Sequence, residues 1–275
     1  MIKMQLKIKK EKDYENNKNY KNNIPFFNIN ENNKNCGICG SYFSDTKIRN
    51  LFNSKTITII GCGGIGSYMA EFIARSNINL ILIDKDKVDF TNLERQNYNI
   101  KDLNKNKTDC LKKKIKKINK SISIENYNID VTKYENLQDI LDESDFIVVA
   151  TDNMESKKKI NEISYSLKIP TIFLSAYSNI GEIFFTNYSK ESSCFNCFYN
   201  KKNDSHIKLK QVGVIPTIPT IVSLNALNII YEIFKNKKNE EKFINTILRF
   251  DFANINITKI KFNKNNKCEV CNDGI

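Results

Sequence analysis

The sequence predicts an α/β fold: a mixed, mostly parallel sheet flanked by helices, with antiparallel C-terminal strands. Three observations carry this. Strand-length apolar runs alternate with helix-length stretches from about Tyr42 to Leu174, the pattern of a parallel sheet with helices on both faces. A glycine loop, GCGGIG (Gly61 to Gly66), stands between the first such strand and the first such helix. Beyond Leu174, strand-like stretches follow one another with a single helix between them, so the sheet turns antiparallel there.

In order, strands are expected at Thr56–Ile60, Leu80–Ile83, Ile122–Tyr127, Phe146–Ala150 and Thr171–Leu174. Helices are expected between them at Ile65–Asn77, Lys105–Asn119, Leu137–Glu143 and Glu155–Leu167. GEIFFTNY (Gly181 to Tyr188) reads as a strand. Pro219 suits the first turn of an apolar helix, Ile221–Phe234. Thr246–Phe250 and Ile255–Phe262 close the sheet, the second alternating as a half-exposed strand does.

The chain has 275 residues, enough for one large domain or two small ones. Residues 1–50 are rich in Asn and Lys with few apolar anchors, and read as a partly disordered N-terminal segment. Residues 51–275 form the folded domain. No unbroken apolar run of about 18 residues occurs, so no transmembrane helix is expected. The N-terminus lacks the apolar core of a secretory signal, which points to the cytoplasm.

The formal net charge is +12, and much of it lies in Lys101 to Lys120, with nine lysines against Asp102 and Asp109. Leu111, Ile115, Ile118 and Ile122 recur there at helical spacing, so the lysines coat the outer face of an amphipathic helix. Aromatic residues are not interleaved with them as in a stacking platform, and a nucleic-acid partner is not expected.

Strand, glycine loop, helix and a second strand ending in an acid make a Rossmann-like dinucleotide-binding pattern. Gly61, Gly63, Gly64 and Gly66 supply the tight turn and close phosphate approach, and Asp84 stands where a carboxylate takes ribose hydroxyls. The helix N-terminus beyond the loop favours anions. Asn92, Arg95 and Lys107 follow. A dinucleotide's two phosphates are already met by the loop, so added Arg and Lys suggest a triphosphate whose leaving pyrophosphate needs stabilising. Asp152, after the fourth strand, would repel phosphates unless a cation intervened, which suggests Mg²⁺. Taken singly, Arg95 and Lys107 read as exposed charges and Asp152 as the cap of the helix beginning near Met154.

The motifs GCGGIG, IDKDKVDFTNLERQ, NKNKTD, VATDN and two paired cysteines resemble the adenylating family of MoeB, ThiF and the ubiquitin-activating-enzyme domains, over about Leu51 to Cys271. Within that family the chain looks most like the MccB branch, which adenylates a microcin-precursor peptide. The resemblance implies a ThiF/MoeB-like adenylation domain in which Asp84 binds ribose, Asn92, Arg95 and Lys107 bind phosphates, and Asp152 holds magnesium. Asn104 stands where the family often has glycine before the lysine. The leader-binding domain that precedes the catalytic domain in the MccB branch is missing or reduced to about 50 residues, so a separate docking protein is one expected partner.

Six of the eight cysteines form Cys-x-x-Cys pairs: Cys36 with Cys39, Cys194 with Cys197, and Cys268 with Cys271. Without an export signal, metal is favoured over disulfide. The last two pairs suit a closed tetrahedral zinc site pinning the C-terminal tail, as the related family has. Cys36 and Cys39 are left as surface thiols, an intersubunit metal pair or a redox pair. Cys62 and Cys110 read as packing residues.

The leading expectation is an ATP-dependent adenylyltransferase, with CTP open, that uses Mg²⁺ and releases pyrophosphate from a substrate carboxylate. That carboxylate is a peptide C-terminus or, alternatively, the Gly-Gly tail of a sulfur-carrier protein. Two rivals are an NAD-dependent oxidoreductase, which leaves Arg95, Lys107 and Asp152 without work, and a catalytically silent binding protein. No cysteine lies between Cys197 and Cys268 to carry a thioester, so the product is expected to stop at, or react from, the acyl-adenylate. His206, the only histidine, lies in a polar stretch, so a Ser-His-Asp hydrolase is not expected. A homodimer is expected because the family places nucleotide sites at a dimer face and the helix Ile221–Phe234 offers apolar surface. Arg49 would then reach the partner's triphosphate.

Overall fold

The computed structural model describes residues 46–199 and 213–272. Cys36, Cys39 and His206 fall outside those residues, as does the Arg49 side chain. The first helix, α1 (Thr46–Asn53), leads into β1 (Thr56–Ile60), the glycine loop and α2 (Gly64–Arg75). Next come β2 (Asn79–Ile83), α3 (Lys107–Ile118), β3 (Ile124–Tyr127), α4 (Leu137–Asp142), β4 (Phe146–Val149), α5 (Met154–Leu167) and β5 (Thr171–Tyr177). The chain ends through β6 (Ile180–Thr186), α6 (Phe195–Phe198), α7 (Thr217–Lys235), β7 (Thr246–Asp251) and β8 (Asn256–Lys261).

Among the described residues, all eight strands join one sheet in the order β3-β2-β1-β4-β5-β6-β7-β8. The first five are parallel and the pairs from β5 onward antiparallel, as the sequence predicts. β1 pairs with β2 on one side and β4 on the other. The strand order therefore reverses at β1, and the crevice beyond the carboxyl ends of β1 and β4 is where such sheets take ligands.

Strand alternation splits the core. Ile57, Ile59, Leu80, Leu82, Phe146 and Val148 pack under α1, α2, α3 and α7. Ile60, Ile81, Ile83, Ile147, Val149 and Phe173 pack under α4, α5 and α6. Central strands buried on both faces explain their near-continuous apolar runs.

Two boundaries differ from expectation in ways that bear on the fold. β5 runs on to Tyr177 because it pairs with β6 through Tyr177 opposite Ile180, across a two-residue turn at Ser178 and Asn179. Ser178 sits at φ 48, a conformation the sequence does not advertise with glycine. α7 begins at Thr217, so Pro219 falls inside its first turn rather than opening it. By length and mean hydropathy, 1.3 over an 18-residue window, α7 also reaches the range of a membrane span, contrary to expectation, although Asn225, Asn228 and Glu232 interrupt its apolar run. Half of that window is buried, as in a core helix.

Candidate functional site

The glycine loop joins the carboxyl end of β1 to α2 on this crevice. Gly61 has φ +94, and a Cβ there would sit 2.7 Å from the Ala150 carbonyl oxygen after β4. A Cβ on Gly66 would meet the Gly61 carbonyl oxygen at 2.0 Å. These two glycines let the loop fold tightly against its neighbours. Gly63 is different: a Cβ there would meet only the Gln96 Nε2, at 3.9 Å, so the space beside it is open. Gly63 caps α2 without a side-chain hydrogen bond, leaving first-turn amides available to an anion. Gly64 packs against Pro219 of α7.

Asp84, just past β2, turns its carboxylate toward the loop. Its Oδ2 accepts from the Cys62 amide at 2.6 Å and its Oδ1 from the Asp86 amide at 2.8 Å. Burial raises its pKa, with the Lys107 ammonium pulling the other way. Lys107 is not the exposed charge that its place in a lysine-rich stretch suggests. Only 5% of it is accessible, and its Nζ donates to Asp86 Oδ2 at 3.1 Å. Burial and Asp84 keep the Cys62 thiol well above its ordinary pKa, so it is a packing group, as expected.

Between β2 and α3, two short 3₁₀ turns shape the segment that carries Asn92 and Arg95. Asn92 accepts from the Asp89 amide in a capping box, so its side chain holds the turn in this state. The Arg95 guanidinium donates to the Thr91 carbonyl and to Glu94 Oε1, each at 2.7 Å, while its own carbonyl packs beside Gly64. Arg95 is thus placed next to the loop with its charge turned to local partners. Asp152 is exposed at the end of the β4 loop. Capping of α5 falls to Asn153, whose Oδ1 accepts from the Ser156 amide at 2.7 Å. That replaces the capping role considered for Asp152 and leaves its carboxylate available to a cation.

Two residues the sequence reading did not single out join the site. Gln96 Oε1 and Thr151 Oγ1 are buried without a hydrogen-bond partner among the described residues. Gln96 borders the open side of Gly63, and Thr151 lies beside Gly61. Orphaned buried polar atoms are costly, and two of them beside an uncapped helix start fit a polar ligand such as a nucleotide. Gln96 stands within ERQ and Thr151 within VATDN, but their burial is a property of the fold.

Cys194, Cys197, Cys268 and Cys271 converge, with all four sulfurs within 4.8 Å of one another. Cys194 lies 3.6 Å from Cys268, Cys197 3.3 Å from Cys271, and Cys194 4.0 Å from Cys197. A tetrahedral ion with metal–sulfur bonds of about 2.3 Å separates its sulfurs by about 3.8 Å, so the set fits a metal. Tyr188 and Val270 pack around it.

Fold and site together define a nucleotide-binding α/β protein with a four-cysteine cluster. The ThiF family profile matches residues 40–270, and the chain belongs to the ThiF family. It is 27% identical over 167 residues to the sulfur carrier protein ThiS adenylyltransferase of Escherichia coli, covering 60% of this chain and 66% of that protein. It is 29% identical over 164 residues to the adenylyltransferase and sulfurtransferase UBA4 of Scheffersomyces stipitis, covering 59% of this chain and 36% of the relative. The matched part thus spans between about a third and two thirds of these curated relatives. The fold superposes on E. coli MccB with ATP at a TM-score of 0.70 and 24% identity, covering 82% of this chain and 68% of that one.

Proposed function

We propose that this chain is an ATP-dependent adenylyltransferase that activates the C-terminal carboxylate of a peptide. The observation that carries the reading is the open side of Gly63, flanked by the orphaned Gln96 Oε1 and Thr151 Oγ1 with Asp84, Lys107 and Asp152 around it. An NAD-dependent oxidoreductase has no use for the last two, and neither an oxidoreductase nor a silent binding protein fits the names of the curated relatives.

The glycine-loop amides receive phosphates and Asp84 receives ribose hydroxyls. Lys107 and Arg95, released from Asp86 and Glu94, take up charge on the departing pyrophosphate, with Asn92 beside them. Asp152 would hold Mg²⁺, which neutralises phosphate charge when bound. A carboxylate oxygen of the substrate attacks the α-phosphorus, the bond to the β-phosphate breaks, and pyrophosphate leaves with its electron pair. A carboxylate is already a nucleophile at neutral pH, so no general base is required. Zinc on the four cysteines is structural and takes no part.

The MccB structures, among them the microcin C7 biosynthetic enzyme in complex with N-formylated MccA, favour a peptide. A sulfur-carrier protein is the second reading, favoured by the ThiS adenylyltransferase relative. Under either reading the chain works as a homodimer in the cytoplasm. The deciding experiment is pyrophosphate–ATP exchange with short peptides bearing a free C-terminus, and separately with a Gly-Gly-ended carrier protein. Exchange with the carrier alone overturns the peptide assignment, and exchange with neither overturns the activity.

A further inference from the structure

Lys157 lies in α5, five residues beyond Asp152, and only 5% of it is accessible. Its ammonium donates to the Leu174 carbonyl at 3.0 Å and to Ser175 Oγ at 2.7 Å, both neutral groups. No carboxylate among the described residues forms an ion pair with it. Burial lowers its pKa to about 8, against the pull of Glu182 on β6 and of Asp152 in the loop before its own helix. A buried ammonium without a partner ion is costly to hold, and such groups gather at functional sites.

Register places Ser175 in the crevice. Val149 of β4 pairs with Phe173, so Ser175 stands two residues further along, beside the loop carrying Thr151 and Asp152. Directly across the sheet is Glu182, whose Oε1 accepts from Arg249 Nε at 2.8 Å and Oε2 from Tyr199 at 3.1 Å. Because the Ser175 oxygen accepts from Lys157, its own hydrogen points away from the ammonium. The half-buried hydroxyl is therefore a donor polarised from behind by a buried charge.

We propose that the Ser175 hydroxyl donates a hydrogen bond to the carboxyl group being activated, with Lys157 as the positioning residue that orients and polarises it. This rests on the adenylating reading and assigns the acyl side of the same site. No proton is exchanged at Ser175: the hydroxyl steadies one carboxylate oxygen while the other attacks phosphorus.

The test compares two ligands in direct binding by calorimetry. One is AMP; the other is an N-glycylsulfamoyl adenosine, whose acyl carbonyl stands in for the activated carboxyl group. Ser175→Ala and Lys157→Met should each weaken the acyl analogue about 10-fold, the worth of one hydrogen bond to a polar ligand, and change AMP binding less than about twofold. Lys157→Arg should keep most of the analogue affinity. In the wild type the preference for the analogue over AMP should fall above about pH 8 as Lys157 loses its proton, and in Lys157→Arg it should not. Equal weakening of both ligands, or of neither, overturns the proposal while leaving the nucleotide site standing. A wild-type protein that binds neither ATP nor AMP overturns the adenylating reading and this assignment with it.

Discussion

The Asp84 carboxylate accepts a hydrogen bond from the Cys62 amide at 2.6 Å, tying the end of β2 to the middle of the glycine loop. The contact sets the spacing between the glycine loop proposed to hold phosphates and the acid proposed to bind ribose. It also means that Asp84 is held in a buried place that its charge does not favour.

Asp84→Asn should therefore separate binding from stability. Burial raises the Asp84 pKa above its ordinary value of 3.8 despite the nearby Lys107 ammonium. A folded pKa above the unfolded one favours the fold while the acid is protonated. That benefit is lost as pH climbs from the unfolded pKa through the folded one. At pH 7 the ionised carboxylate is thus a net burden, and Asn removes it, keeping an acceptor for the Cys62 amide and giving up only the solvent-exposed bond from the Asp86 amide. The variant should melt at the same temperature as wild type or higher at pH 7, yet bind ATP at least about 10-fold more weakly. A clear loss of melting temperature would contradict this account.

Gly63 and Gly66 should behave in opposite ways when changed to Ala. At Gly66 a methyl group would lie 2.0 Å from the Gly61 carbonyl oxygen, a backbone atom that cannot step aside cheaply. Gly66→Ala should cost about 3 kcal/mol of stability or more. At Gly63 the same methyl meets only Gln96 Nε2 at 3.9 Å, so Gly63→Ala should fold normally. It would stand where a phosphate must approach, and nucleotide affinity should drop. Denaturant melts and ATP titrations of the two variants give the contrast directly.

The alternation of parallel strands and helices was legible because β1, β2, β4 and β5 are buried on both faces and read as apolar runs broken by amphipathic helices. The candidate nucleotide residues were legible for a similar reason: glycines and an acid at fixed points of a strand–loop–helix unit. Other features depend on tertiary contact and left no local trace. Lys157 stands in a run of three lysines, yet it is buried against Ser175, and Lys159 of the same run donates to the Thr132 and Tyr134 carbonyls. The turn at Ser178 and Asn179 carries no glycine, so the β5–β6 hairpin looked like a gap between two separate strands. Lys107 was noticed for its charge, while its burial comes from Asp86 and the start of α3 folding around it.

The four-cysteine cluster should hold one zinc per chain. Cys194 lies just before α6, while Cys268 and Cys271 come from the tail after β8, so an ion would tie together two segments far apart in sequence that meet in one small cluster with Tyr188 and Val270. Four thiols this close share their protons, and a bound cation would favour all four as thiolates near neutral pH. The double variant Cys268→Ser, Cys271→Ser should lose the metal by elemental analysis, and a strong chelator should lower the melting temperature of wild type. Full zinc content in the double variant would place the ion elsewhere, with Cys36 and Cys39 the next residues to change.

Lys107, Arg95 and Asp152 should carry the chemical step, and Lys107 should do so twice over. Changing each to Ala should slow pyrophosphate formation roughly 100-fold or more, the usual scale for one pre-placed charge. Arg95→Ala and Asp152→Ala should fold normally, since Asp152 is exposed and Arg95 bonds to its near neighbours Thr91 and Glu94. Lys107→Ala should instead melt lower at pH 7, because the buried Lys107 offsets the charge of Asp84. Lys107 has a second effect because it is the cation that counters burial at Asp84. Without it the Asp84 pKa rises further, so the ionised form that accepts ribose hydroxyls is lost at a higher pH as the solution is acidified. ATP affinity of Lys107→Ala should therefore decline at higher pH than that of wild type, and Lys107→Arg should restore the wild-type profile. A parallel pH profile in Lys107→Ala would uncouple the two residues and confine Lys107 to the phosphates.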